Sequence, residues 1–389
     1  MAKTIQLPTK EGQLEPYRLS EPTNYQPPMK PFSSRVLYAA VHVVADETAD
    51  NGEGKPAVVD WEKTLAFRHH LWRYGFGVAE AMDTAQRGFG LDWAATKELI
   101  SRSVSEARKV NGLIACGAGT DQLGDDYSAL NLDDVISAYE EQIEHIEACG
   151  GKIILMASRA LAAVAKNADD YLKVYNHLLN KVEEPVILHW LGDMFDPRLR
   201  GYWGSDEWRE AGHTLLKIIE QNASKVDGMK MSLLDDQKEI YLRRRLPEQV
   251  KMYTGDDFNY DVLIKGDDQG FSHGLLGIFD PIAPAAATAM QALEAGDMEA
   301  YDRIFAPTVP LSRHIFESPT FYYKTGIVFM AYLNGQQDHF KMVGGLEDKR
   351  SLEHLVELFK LADKAGLLSQ PQLALERMQS VLDERMVSA

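Results

Sequence analysis

A lysine interrupts the apolar run Val226-Asp-Gly-Met-Lys-Met-Ser-Leu-Leu-Asp235, where Lys230 stands between Met229 and Met231. Lysine is rarely buried without a reason. One reason is chemical: an amine drawn out of water loses its proton more easily. It then keeps a lone pair near neutral pH and attacks a carbonyl carbon to form a Schiff base. Pairing with a hidden carboxylate, or escape to solvent from a strand end, accounts for the same lysine structurally.

The elements that must carry this lysine follow from the apolar rhythm. Short apolar runs begin at Arg35, Gly77, Leu113, Lys152, Pro185, Val226, Val250 and Gly270. Helical stretches alternate with them: 60–74, 93–110, 132–149, 169–182, 208–222, 237–246 and 260–265. Strands of this length, each followed by a helix, predict a parallel sheet covered by helices, and eight units predict a closed (β/α)₈ TIM barrel, an α/β fold. An open doubly wound sheet needs a glycine-rich phosphate loop, and Gly117-Ala-Gly119 lacks the third glycine. Residues 1–33 hold Pro8, Pro16, Pro22, Pro27, Pro28 and Pro31 and read as an irregular arm. The barrel is expected over 34–300, and residues 301–389 as helices packed on it.

Chemistry in such a barrel sits at the C-terminal strand ends. Those ends present His42, then Glu80 with Asp83 and Thr84, then Ser158 and Arg159, then His189. Lys230 and Ser232 follow, then Gly255, Asp256 and Asp257. Caps and turns explain some of these residues. Together they outline a pocket.

At this point the chain resembles the dihydrodipicolinate synthase/N-acetylneuraminate lyase superfamily. Asp227-Gly-Met-Lys-Met-Ser232 resembles its Gly-x-Lys strand, and Glu184-Pro-Val-Ile-Leu-His-Trp190 its strand-five segment. Met252-Tyr-Thr-Gly-Asp-Asp257 resembles its Ser-Gly-Asp-Asp segment, and Gly112-Leu-Ile-Ala-Cys-Gly117 its strand three. The resemblance implies a homo-oligomeric barrel enzyme whose lysine forms an imine with a 2-oxo acid and makes or breaks a carbon–carbon bond, or dehydrates a sugar acid. It implies no metal and no organic cofactor. Two helper positions depart from the pattern. The family's Gly-Thr-Thr-Gly-Glu loop is matched by Met82-Asp-Thr-Ala-Gln86, and its proton-shuttling tyrosine by Ala157-Ser-Arg-Ala160. These departures point to a polyhydroxylated carbonyl compound. Asp83 would accept from its hydroxyls, Arg159 would hold a carboxylate or phosphate, and His189 or Ser158 would carry protons near pH 7.

Two rival readings remain. His42, Glu80, Asp83 and His189 form a donor set suited to a divalent cation, hence a metal-dependent lyase or isomerase in the same barrel. The barrel could also bind a ligand without turning it over. The composition narrows the field further. A net charge of −17 argues against nucleic acid or anionic lipid as the main partner. Two cysteines outside any C-x-x-C pair give no disulfide framework, and no apolar run long enough for a membrane span is present. A small-molecule substrate and a cytoplasmic setting are expected.

Overall fold

The barrel strands are buried on both faces, which is why their sequences read as continuous apolar runs rather than alternating ones. The computed structural model describes residues 4–9 and 12–387. Its first two strands, β1 (Thr4–Pro8) and β2 (Leu14–Arg18), form an antiparallel hairpin where the prolines predict an irregular arm. Pro8 sits at a strand end, so it interrupts little of the ladder. Ile5 and Leu7 alternate inward and anchor the hairpin.

Eight parallel strands then close into a barrel. They are β3 (Leu37–Ala40), β4 (Gly77–Glu80), β5 (Ile114–Ala118), β6 (Lys152–Leu155), β7 (Val186–Leu191), β8 (Val226–Ser232), β9 (Lys251–Thr254) and β10 (His273–Leu276). Their order round the ring follows the chain, with β10 closing on β3. The helices between them are α1 (Trp61–Arg73), α2 (Trp93–Val110), α3 (Leu132–Cys149), α4 (Arg159–Val164), α5 (Ala168–Lys181), α6 (Trp208–Gln221), α7 (Asp236–Arg243) and α8 (Tyr260–Lys265). Local chemistry sets their ends. Asp60 caps α1 by accepting from the Lys63 amide at 3.0 Å, and Asn131 begins α3 with a full capping box. Asn111 ends α2 in the left-handed region at φ 50°.

The barrel interior is filled by Tyr38, Ala79, Ala115, Ile154, Ile187 and Tyr253, a cluster separate from the core between strands and helices. Gly228 makes room for this filling, because a Cβ there would lie 2.5 Å from the Tyr253 ring. Side chains two residues apart on a strand share a face. Above Ile187 therefore comes His189, and above Gly228 comes Lys230.

After α9 (Phe279–Glu294) the chain adds α10 (Met298–Phe305), α11 (Thr308–Ile315), α12 (Tyr323–Leu333), α13 (Leu352–Lys364) and α14 (Pro371–Val387). Every residue of α12 is buried, so it is enclosed rather than amphipathic. It packs against α9, α13 and α14. The N-terminal hairpin closes over this layer: Tyr17 donates to Asp363 at 2.8 Å, and the Ser20 amide to the same carboxylate at 3.0 Å. No helix among the described residues is long and apolar enough to cross a membrane.

Candidate active site

Lys230 and His189 are direct neighbours in the β7–β8 register. Lys230 is 7 % exposed and His189 fully buried. Burial lowers the Lys230 pKa, while Asp83 and Asp257 pull it back up. Among the described residues its ammonium has no hydrogen-bond or ion-pair partner. Gly255 supplies the space: a Cβ at that position would lie 2.8 Å from Lys230 Cε and 2.2 Å from Ser232 Oγ.

His189 departs from expectation. Burial first, then the charge of Lys230, holds its pKa well below the ordinary histidine value, so it is a neutral imidazole at pH 7. Its Nε2 faces Ser232 Oγ at 3.3 Å, and its Nδ1 has no partner. A proton acceptor that titrates near pH 7 is not what the site contains here.

The acids behave differently from one another. Asp257 is pushed up to about 7 by burial, although it accepts from the Ile278 amide at 2.8 Å and lies near Lys230. Asp256 instead closes the turn after β9, accepting from the Phe258 amide at 2.9 Å and Asn259 Nδ2 at 2.8 Å. Asp83 stands half-buried in the turn after β4. Next to it, Thr84 Oγ1 meets the Tyr323 hydroxyl at 2.8 Å.

A cavity opens at the ends of β4 to β7, lined by Asp83, Thr120, Ser158, Arg159, Leu191 and Asp196 among others. Lys230 and His189 do not line it. Ser158 Oγ accepts from the Leu161 amide at 2.9 Å as the cap of α4 and is 2.6 Å from Thr120 Oγ1. That hydroxyl is occupied by two structural bonds. Arg159 is paired with Asp196 and lies 4.3 Å over the Phe89 ring.

The four-residue metal set does not assemble. β3, which His42 follows by two residues, and β7, which carries His189, lie on opposite sides of the ring. Glu80 is gripped by Arg68 through two bonds of 2.9 Å, both side chains being fully buried. His42 Nδ1 is 2.7 Å from Asp280. Among the described residues these four form no cluster of metal-ligand dimensions.

Two functional candidates come from α12 and carry no local signal in the sequence. Tyr323 is fully buried with its hydroxyl pKa pushed well above the ordinary phenol value by burial, then by Asp83. Lys324 is pushed down to about 8 by burial, with Asp83 opposing. It lies 4.7 Å from the Phe89 ring and donates to the Phe321 carbonyl at 3.2 Å. A helix that is apolar throughout reads as core, and only its docking against the β4 turn brings these groups to the site.

A family model described as "Protein of unknown function (DUF993)" matches residues 5–387. The chain belongs to this family. No curated protein matches this DUF993 chain. Among solved structures it is similar to dihydrodipicolinate synthase from Aquifex aeolicus, with a TM-score of 0.64 and 13% identity over 86% of this chain and 99% of that one. It is similar also to a putative dihydrodipicolinate synthetase from Pseudomonas aeruginosa, with 0.64 and 15% over 86% and 100%. Dihydrodipicolinate synthase from Bacteroides thetaiotaomicron gives 0.64 and 15% over 85% and 99%. At these identities the likeness establishes a shared fold, in agreement with the resemblance read from the strand motifs.

Proposed function

We propose that this DUF993 protein is a Schiff-base lyase acting on a small carbonyl compound through Lys230. The observation that carries the reading is the state of that amine. It is buried beside His189, unpaired, lowered in pKa by burial, and lies in the field of the Asp83 and Asp257 carboxylates. The neutral amine attacks the carbonyl carbon, and the carbonyl oxygen leaves as water after protonation. The resulting iminium accepts the electron pair released when an adjacent carbon–carbon bond breaks or an α-proton departs. Reprotonation and hydrolysis regenerate the free lysine. No redox partner is needed.

The proton carriers in this reading are Asp257 and the Tyr323–Thr84 pair. Asp257 titrates near neutrality, which suits acid–base exchange. Tyr323 remains a phenol and passes protons by donating and accepting through Thr84. Asp83 accepts hydrogen bonds from substrate hydroxyls, which favours a sugar-derived compound, and Arg159 with its Asp196 partner bounds the distal end. Incubation with 2-oxo acids and sugar acids, followed by proton NMR, tests the proposal. Turnover of at least one compound, abolished in Lys230→Ala, is expected. Unchanged turnover in that variant would refute it, and ligand-induced thermal stabilisation without turnover would point to a binding protein.

A further inference from the structure

Outside the barrel mouth, His314 on α11, Glu317 just beyond it and His354 on α13 place their ligand atoms within 4.8 Å of one another. Glu317 Oε1 lies 2.8 Å from His354 Nδ1, and Oε2 lies 3.5 Å from His314 Nδ1. Two ligands bound to one zinc ion at tetrahedral angles stand about 3.3 Å apart. The observed spacings bracket that value.

A second observation concerns the tautomer of His314. Its Nε2 is 2.9 Å from the His354 backbone oxygen, which can only accept, so Nε2 carries the proton. Its Nδ1 is turned toward the Glu317 carboxylate at 3.5 Å, a gap that a proton on that nitrogen or a cation between the two groups would fill. A ligating histidine that donates its other N–H to a backbone carbonyl is also the usual supporting arrangement around a metal. His354 is buried and turns Nδ1 toward Glu317, while its Nε2, the other ring nitrogen, has no partner.

We propose that His314, Glu317 and His354 form a zinc site joining α11 to α13. Two imidazoles and one carboxylate suit Zn²⁺. Glu317 is exposed, which leaves an open position for water. Coordination requires the two rings, stacked at 4.0 Å, to splay apart. The ion would fix the segment that presents Phe316 to Tyr323, whose rings stack at 4.4 Å. The same helix donates from Ser312 to the Asp257 carbonyl. The zinc site would therefore brace the helices that pack against Tyr323 and Asp257, and it stands independently of the lyase reading.

The test is equilibrium dialysis of the full chain against ZnCl₂, with metal content measured by mass spectrometry and thermal unfolding followed in parallel. The wild type is expected to take one Zn²⁺ per chain and to melt at a higher temperature with the metal. Glu317→Gln, an exposed change that keeps the shape of the side chain, is expected to weaken binding at least tenfold and to leave the metal-free melting temperature unchanged. His314→Ala is expected to remove the metal-dependent rise. Absence of stoichiometric zinc in the wild type overturns the proposal. So does wild-type affinity in both variants, which would place the ion elsewhere.

Discussion

The hydroxyl of Tyr323 on α12 meets Thr84 Oγ1 in the turn after β4 at 2.8 Å, with both groups buried. A helix beyond the barrel thus completes the end of the second barrel strand. Tyr323→Phe removes the phenolic proton and keeps the ring. Loss of one buried hydrogen bond costs about 0.5–1.5 kcal/mol, whereas loss of a proton carrier lowers turnover by roughly 10²–10⁴. Urea denaturation and single-turnover kinetics separate the two effects. A fall in stability without a fall in rate would reduce the pair to packing.

Gly255 is predicted to be intolerant of any side chain. Gly255→Ala would drive a methyl group into Ser232 Oγ and Lys230 Cε, at 2.2 and 2.8 Å. Overpacking of this kind costs about 1–3 kcal/mol. Reactivity of Lys230 toward carbonyl probes should fall with it, read by adduct formation at matched folded fraction.

Arg68 and Glu80 form a buried bidentate pair. Arg68→Ala would leave the Glu80 carboxylate without its partner inside the fold, at a cost of about 3–5 kcal/mol. Chemical denaturation measures the loss. A change below 1 kcal/mol, on the scale of a surface pair, would contradict a structural role for Glu80.

Glu239 gives stability a pH dependence. Burial pushes its carboxyl from 4.5 up to about 8, with Ser272 Oγ donating at 2.6 Å. The folded chain therefore holds a proton that the unfolded chain has released. Its stabilising contribution is complete below pH 4.5, declines as the pH rises, and is lost through about pH 8. Glu239→Gln should flatten that window and raise stability at pH 8 by about a few kcal/mol at most. Denaturation midpoints at pH 5, 7 and 8.5 provide the check.

The barrel was legible because each strand is a short apolar run closed by a turn signal, and buried parallel strands look like that whatever their neighbours. Lys230 was legible for the same reason: a charge inside such a run stands out. Three things were not. The hairpin over β1 and β2 is held by tertiary contacts to Asp363, while its prolines speak locally for irregular chain. Helix α4 follows Ser158, whose hydroxyl reads equally as a catalytic group or as a cap, and the structure uses it as a cap. Tyr323 and Lys324 sit in a helix with no polar face, so nothing in their spacing distinguishes active-site wall from core. The metal set misled because every strand end opens at one mouth, whereas the first and fifth strands of an eight-stranded ring stand opposite each other, as His42 and His189 illustrate.

Two buried amines, Lys230 and Lys324, lie near Asp83, and only one is proposed to form an imine. Borohydride reduction in the presence of a carbonyl probe such as pyruvate or a 2-keto sugar acid, followed by peptide mapping, decides between them. The account predicts a stable adduct on the peptide carrying Lys230, absent from Lys230→Ala and present in Lys324→Met. An adduct on Lys324, or none with any probe that is turned over, would contradict it.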